Sequence, residues 1–160
     1  MHGHLRVWGE GAPEHHEVGL ALWFHDLVYD PQAKDNEDRS IEAAKRVLGA
    51  LGLDTGRIAR VARLVEITKH GAVESVDATE RLMIDIDLSI LGAPPARFAT
   101  YCEQVAIEYS WVPPELYKVK RRAFIEAMLA RPQLFLTPIA YRDLEHQARE
   151  NLEQERRQLV

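Results

Sequence analysis

Two proline pairs, Pro94-Pro95 and Pro113-Pro114, with Pro132 and Pro138 nearby, do most to limit what this chain can form. A proline inside a helix removes a backbone donor and clashes with the preceding turn, and in a central strand it breaks the ladder. At the first helical position it costs nothing. Each pair therefore reads as punctuation between helices and not as a domain boundary. Between them apolar residues recur every three or four positions: Phe98, Cys102, Val105 and Tyr109, then Leu116, Val119, Ala123 and Ala127. Both rows are expected to face a core, and the basic run Lys118, Lys120, Arg121 and Arg122 to lie on a solvated face. Thr137-Pro138 has the form of an N-cap followed by proline, opening a long polar helix with Tyr141, Leu144, Ala148 and Leu152 as its apolar seam.

The upstream half follows the same period. Residues from Val18 to Tyr29 are apolar almost all round, which predicts a helix buried on most sides with Trp23 and Phe24 in the core or a pocket wall. From Ser40, the spacing of Ile41, Ala44, Leu48 and Leu51 predicts a second helix that stops at Gly52. Asp54-Thr55 offers an N-cap for a third, with Ile58, Val61, Val65 and Thr68 on one face and its end near His70-Gly71. Asp77 or Thr79 caps a fourth that contains Leu82, Asp85, Ile86 and Asp87 and stops before Gly92. No sustained apolar/polar alternation and no Asn-Gly or Asp-Gly hairpin turn is present. The expectation is an all-α, compact, single-domain helical bundle of roughly seven helices over residues 1–160.

Composition narrows the function. With 46% hydrophobic and 28% charged residues in 160, the chain can bury a core and does not have the make-up of disorder. A net charge of −5 gives no basic field to hold a nucleic-acid backbone, so no nucleic-acid partner is expected. Cys102 stands alone, so it forms no internal disulfide and builds no thiolate zinc site. No apolar run approaches the ~18 residues of a membrane span, and neither a signal core nor a membrane partner is read. A reducing, cytoplasmic setting fits. The apolar helix faces leave a homo-oligomer open.

The chemistry-bearing feature is His25-Asp26 within the most apolar segment. An imidazole and a carboxylate buried together each need a partner, and a divalent cation supplies the missing charge for both. A satisfied hydrogen-bonded pair is the competing reading. If a metal is bound, further ligands come from His4, His70, Asp85 or Asp87, and such a set with no thiolate suits Mn, Mg, Fe, Co, Ni or Zn without choosing among them.

The company of this pair resembles a known family. Ala21-Leu22-Trp23-Phe24-His25-Asp26-Leu27-Val28-Tyr29-Asp30-Pro31 is followed by Asp35-Asn36-Glu37 with Ser40, then Thr68-Lys69-His70. Next come Asp85-Ile86-Asp87-Leu88-Ser89-Ile90-Leu91-Gly92, Glu108-Tyr109, and Ala148-Arg149-Glu150-Asn151-Leu152. In this order the motifs resemble the HD superfamily of all-helical metal-dependent phosphohydrolases, and more closely a bacterial branch of predicted HD phosphohydrolases. The resemblance implies an HD-domain fold and makes His4, His25, Asp26 and Asp87 the metal ligands, with Asp85 the rival for the last place. It extends upstream of His4 in the family through a helix that this chain, beginning at Met1, is expected to lack.

Related HD hydrolases of guanosine polyphosphate carry a Glu-Asp pair where this chain has Tyr29-Asp30, so only Asp30 is kept. The resemblance leaves Asp30 or Glu37 to align an attacking water, against plain alternatives as a turn residue and a helix-start carboxylate. Lys69 and His70 are the candidates for binding substrate phosphate, against the alternative of basic residues at a helix end. The expected activity is metal-assisted hydrolysis of a phosphate ester on a nucleotide or another small phosphorylated molecule. The rival is a catalytically silent HD-like domain that binds metal or nucleotide in regulation or interaction.

Overall fold

A computed structural model describes residues 15–69 and 77–159. These form seven α-helices and two short 3-10 segments, with no strand among the described residues. The all-α expectation is met. The contacts group the chain into two compact units that divide between Asp87 and Leu88, and each has its own packing. No described helix is long and apolar enough to cross a membrane.

The first unit holds α1 (His15–Phe24), α2 (Asn36–Ala50), α3 (Thr55–Glu66), which runs into a 3-10 turn at Ile67–Lys69, and α4 (Ala78–Asp87). α3 is the hub, packing against both α1 and α2. Its core combines Val18 and Leu22 of α1, Ala44 and Leu48 of α2, Val61, Leu64 and Val65 of α3, and Met83 and Ile86 of α4. Fully burying one such Leu, Ile or Met side chain stabilises by about 1.5–3 kcal/mol. The ends are set by local chemistry. Asp54 accepts the Arg57 N–H at 3.0 Å to cap α3. Asp77 and Glu80 close a capping box on α4, each accepting the other's backbone N–H at 2.8 and 3.2 Å. Arg60 and Arg63 of α3 then grip Glu80 at 3.1 and 3.0 Å, tying α3 to α4. α2 ends at Gly52 with φ +77°, where Leu53 N–H reaches the Leu48 carbonyl and Gly52 N–H that of Gly49.

Several expectations for this unit fail, among them a buried Leu51, which is 70% exposed, and a buried Asp26, which is exposed. α1 stops at Phe24, so His25-Asp26 lies just past the helix and not inside it. Beyond Phe24 the backbone finds other partners: Val28 N–H donates to Ser40 Oγ and Asp30 N–H to Asn36 Oδ1, both at 3.0 Å. Asp30 also precedes Pro31, which disfavours helical backbone there. Trp23, expected in the core or a pocket wall, is 70% exposed, with Leu27 and Tyr29 exposed beside it. α2 begins four residues before Ser40, at Asn36, which turns Asn36 and Ser40 toward the Val28–Asp30 backbone.

The second unit begins with a 3-10 segment, Leu88–Gly92, followed by α5 (Pro95–Glu108), α6 (Pro114–Leu129) and α7 (Pro138–Gln158). Each helix starts on a proline, and Thr137 accepts the Ala140 N–H at 3.3 Å as the expected N-cap. The Leu88–Gly92 segment seats on α7. A Cβ on Gly92 would stand 2.6 Å from Leu144 Cβ, and Asn151 Nδ2 donates to the carbonyls of Leu91 and Ala93, both at 2.8 Å. Arg149 closes the far end of α6 by donating to the carbonyls of Leu129, Arg131 and Pro132, while its Nε pairs with Glu145 at 2.7 Å.

α6 turns a different face inward from the one its apolar period predicts. Leu116, Val119, Ala123 and Ala127, expected inside, are exposed, and Arg121, expected in solvent, is buried with Ile125 and Met128. Arg121 forms a fork with Glu155 of α7, at 2.7 Å from Nε and 3.0 Å from Nη2. Its guanidinium lies over the rings of Tyr101 and Phe124, at 5.6 and 5.0 Å from their centroids. Turned this way, α6 buries Ile125 and Met128 and leaves Leu116 and Val119 exposed, an arrangement that depends on Arg121 finding its partner in Glu155. Tyr141, expected in the α7 seam, is half exposed. Burial, with the Glu155 charge adding to it, pushes the Cys102 thiol up to about 11, so it stays protonated at neutral pH.

Breaking such a pair on one side strands a buried charge. Glu155→Gln is expected to destabilise the fold by about 3–5 kcal/mol in urea unfolding, whereas the double change Arg121→Met with Glu155→Leu costs clearly less than that single change.

Candidate functional site

His25 follows the last residue of α1, where the helix leaves carbonyls without intrahelical donors. One of these, Leu22 O, lies 3.0 Å from His25 Nδ1. A carbonyl can only accept, so Nδ1 carries the proton and donates. In the neutral ring Nε2 then carries the lone pair, the form in which an imidazole coordinates a metal. The side chain is buried, and Nε2 has no hydrogen-bond partner.

Two carboxylates stand beside that atom. Asp26 Oδ2 is 3.1 Å from Nε2 and Asp87 Oδ1, from the last residue of α4, is 3.4 Å away. Neither is aligned for a hydrogen bond, yet both charges are felt: burial works against a cation on His25, and Asp26 and Asp87 outweigh it, holding the imidazolium up to about 10. The two carboxylates favour positive charge at Nε2. Ligand atoms at ~2.1 Å from one ion sit about 3.0 Å apart in octahedral and about 3.4 Å apart in tetrahedral arrangement, and the two separations found fall in that range. Among the described residues, no group of three or more His, Cys, Asp or Glu is already spaced as a metal shell. The donor chemistry thus fits part of a metal site.

Of the rival carboxylates on α4, Asp87 lies against His25, while Asp85 is fully buried two residues earlier. His4 and His70 lie outside the described residues. Asp30 closes a turn: its Oδ1 accepts the Gln32 N–H at 2.9 Å and its carbonyl accepts from Ala33 N–H and Asn36 Nδ2. Glu37 is half-buried in the first turn of α2, where a carboxylate is favoured by the helix dipole. Lys69 is taken up by Asp38 of α2 at 2.6 Å, a pairing that raises its hold on its proton.

Ser40 and Asn36, which entered the sequence reading only as a helix start and as members of the resembling motif, position the loop after His25-Asp26. Ser40 Oγ, fully buried, accepts from Val28 N–H and donates to Val28 O, and Asn36 makes the matching exchange with Asp30. The available signal was two small polar residues one helical turn apart following an X-Pro turn. Ser40→Ala leaves the part-buried Val28 N–H without its acceptor, so it is expected to cost about 1 kcal/mol in urea unfolding and to speed amide hydrogen exchange at Val28.

Compared with protein-family models, curated proteins and solved structures, the chain matches none.

Proposed function

We propose that this chain is a metal-dependent phosphohydrolase of the HD type, acting on a nucleotide or another small phosphorylated metabolite. One observation carries the reading: a buried imidazole whose Nδ1–H is fixed by Leu22 O and whose Nε2, without a hydrogen-bond partner, faces Asp26 and Asp87. His25, Asp26 and Asp87 would hold the ion, Mn, Mg, Fe, Co, Ni or Zn, with His4 as the further ligand implied by the resemblance. A divalent ion bound there supplies a water of lowered pKa and polarises a phosphoryl oxygen. The chain's own part is to keep the imidazole oriented through Leu22 O and the loop still through Ser40 and Asn36. Asp30 and Glu37 are the candidates to align a water, Asp30 with one carboxylate oxygen engaged by the Gln32 N–H.

A second reading, a silent HD-like domain that binds metal or nucleotide without turnover, is favoured by that engagement of Asp30 and by the Lys69–Asp38 pair. Elemental analysis separates the readings. After incubation with Mn, Co, Ni or Zn and dialysis, the wild type is expected to keep about one ion per chain, lost in Asp26→Ala and Asp87→Asn. The loaded protein should release phosphate from a panel of nucleotides and sugar phosphates. Metal retention without phosphate release selects the silent domain, and no retention by the wild type sinks both metal readings.

A further inference from the structure

On the α2 side of the first unit, Val28, Asp38, Arg39, Glu42, Ala43 and Arg46 line an open groove of about 440 Å³, a size within the ~300–1,000 Å³ of small-molecule sites. Its charges are unevenly satisfied. Asp38 is neutralised by Lys69 at 2.6 Å and Glu42 by Lys45 at 2.8 Å, both partners standing outside the lining. Elsewhere in the unit Arg57, Arg60 and Arg63 each hold a carboxylate. Arg39 and Arg46 have no ion-pair partner among the described residues, so the groove presents two uncompensated guanidinium groups over a floor of Val28 and Ala43.

Position adds to this. Seven residues apart, Arg39 and Arg46 lie on one face of α2 about 10.5 Å apart along its axis, and their long side chains can close on groups between them. Val28 is fixed by Ser40, the neighbour of Arg39, and lies two residues after Asp26. The groove therefore abuts the His25-Asp26 loop.

We propose that Arg39 and Arg46 form the anion-binding part of the site and take the phosphate groups of a small phosphorylated ligand, the task the sequence assigned to Lys69 and His70. Guanidinium forks bind phosphate oxygens in pairs, which one ammonium already held by Asp38 does not. The inference rests on the phosphohydrolase reading for the ligand's fate, not for its binding.

The test is calorimetric titration of pyrophosphate into the metal-stripped full chain. Wild type is expected to bind, with Arg39→Gln and Arg46→Gln each weakening the affinity about ten-fold by loss of a charge-assisted contact. Arg81→Gln, which removes an exposed charge of α4 outside the groove, should bind as wild type does. Circular dichroism confirms that these surface variants fold. The proposal is overturned if wild type does not bind, if both groove variants bind unchanged, or if Arg81→Gln weakens binding equally. Arginine-dependent binding in a chain that keeps no metal leaves the groove standing and removes the hydrolase. Hydrolysis with an unchanged KM in Arg39→Gln and Arg46→Gln does the reverse.

Discussion

The carbonyl of Leu22 governs the chemistry at the end of α1. A helix terminus leaves such acceptors open, and His25, the first residue past α1, fills this one with its Nδ1–H. That hydrogen bond turns Nε2 toward Asp26 and Asp87 and commits the neutral ring to presenting a lone pair there. Had α1 continued to Tyr29, Leu22 O would have been taken by a backbone N–H. The break after Phe24 and the availability of the imidazole are one structural event, held by Ser40 and Asn36 from α2.

The two units handle buried charge in opposite ways. Arg121 and Glu155 satisfy each other in a two-point fork, with aromatic faces filling what remains around the guanidinium. Nothing in that cluster asks for a ligand. Around His25, the carboxylates of exposed Asp26 and largely shielded Asp87 stand beside an imidazole nitrogen without the alignment of a hydrogen bond, and their charge favours a cation there. The contrast gives His25 its weight as a functional candidate and assigns Arg121 to architecture.

Much of the fold was legible because its signals are local. Prolines at first helical positions, Asp54, Asp77 and Thr137 as caps, and Gly52 as a stop act within one turn of themselves, and the structure uses them as read. Leu48, Val61, Val65, Leu144, Ala148 and Leu152 followed the period and are buried. Periodicity scores Arg121 as polar and Ala123 and Ala127 as apolar, and has no knowledge of Glu155, 34 residues on, which lets a guanidinium be buried. The apolar run through Tyr29 scored as helix because the side chains that end it belong to the next helix.

By itself the sequence determined that the chain is helical, where most helices begin and stop, and that His25-Asp26 is the polar pair set in the most apolar segment; these depend on backbone sterics and neighbouring residues. Tertiary structure decided which atom of His25 is left without a hydrogen bond, that Asp87 lies against it, that Lys69 is engaged by Asp38, and that Arg39 and Arg46 share a groove. Those outcomes bring together groups distant along the chain, and their charges and hydrogen bonds are settled only by what stands within a few ångströms of them.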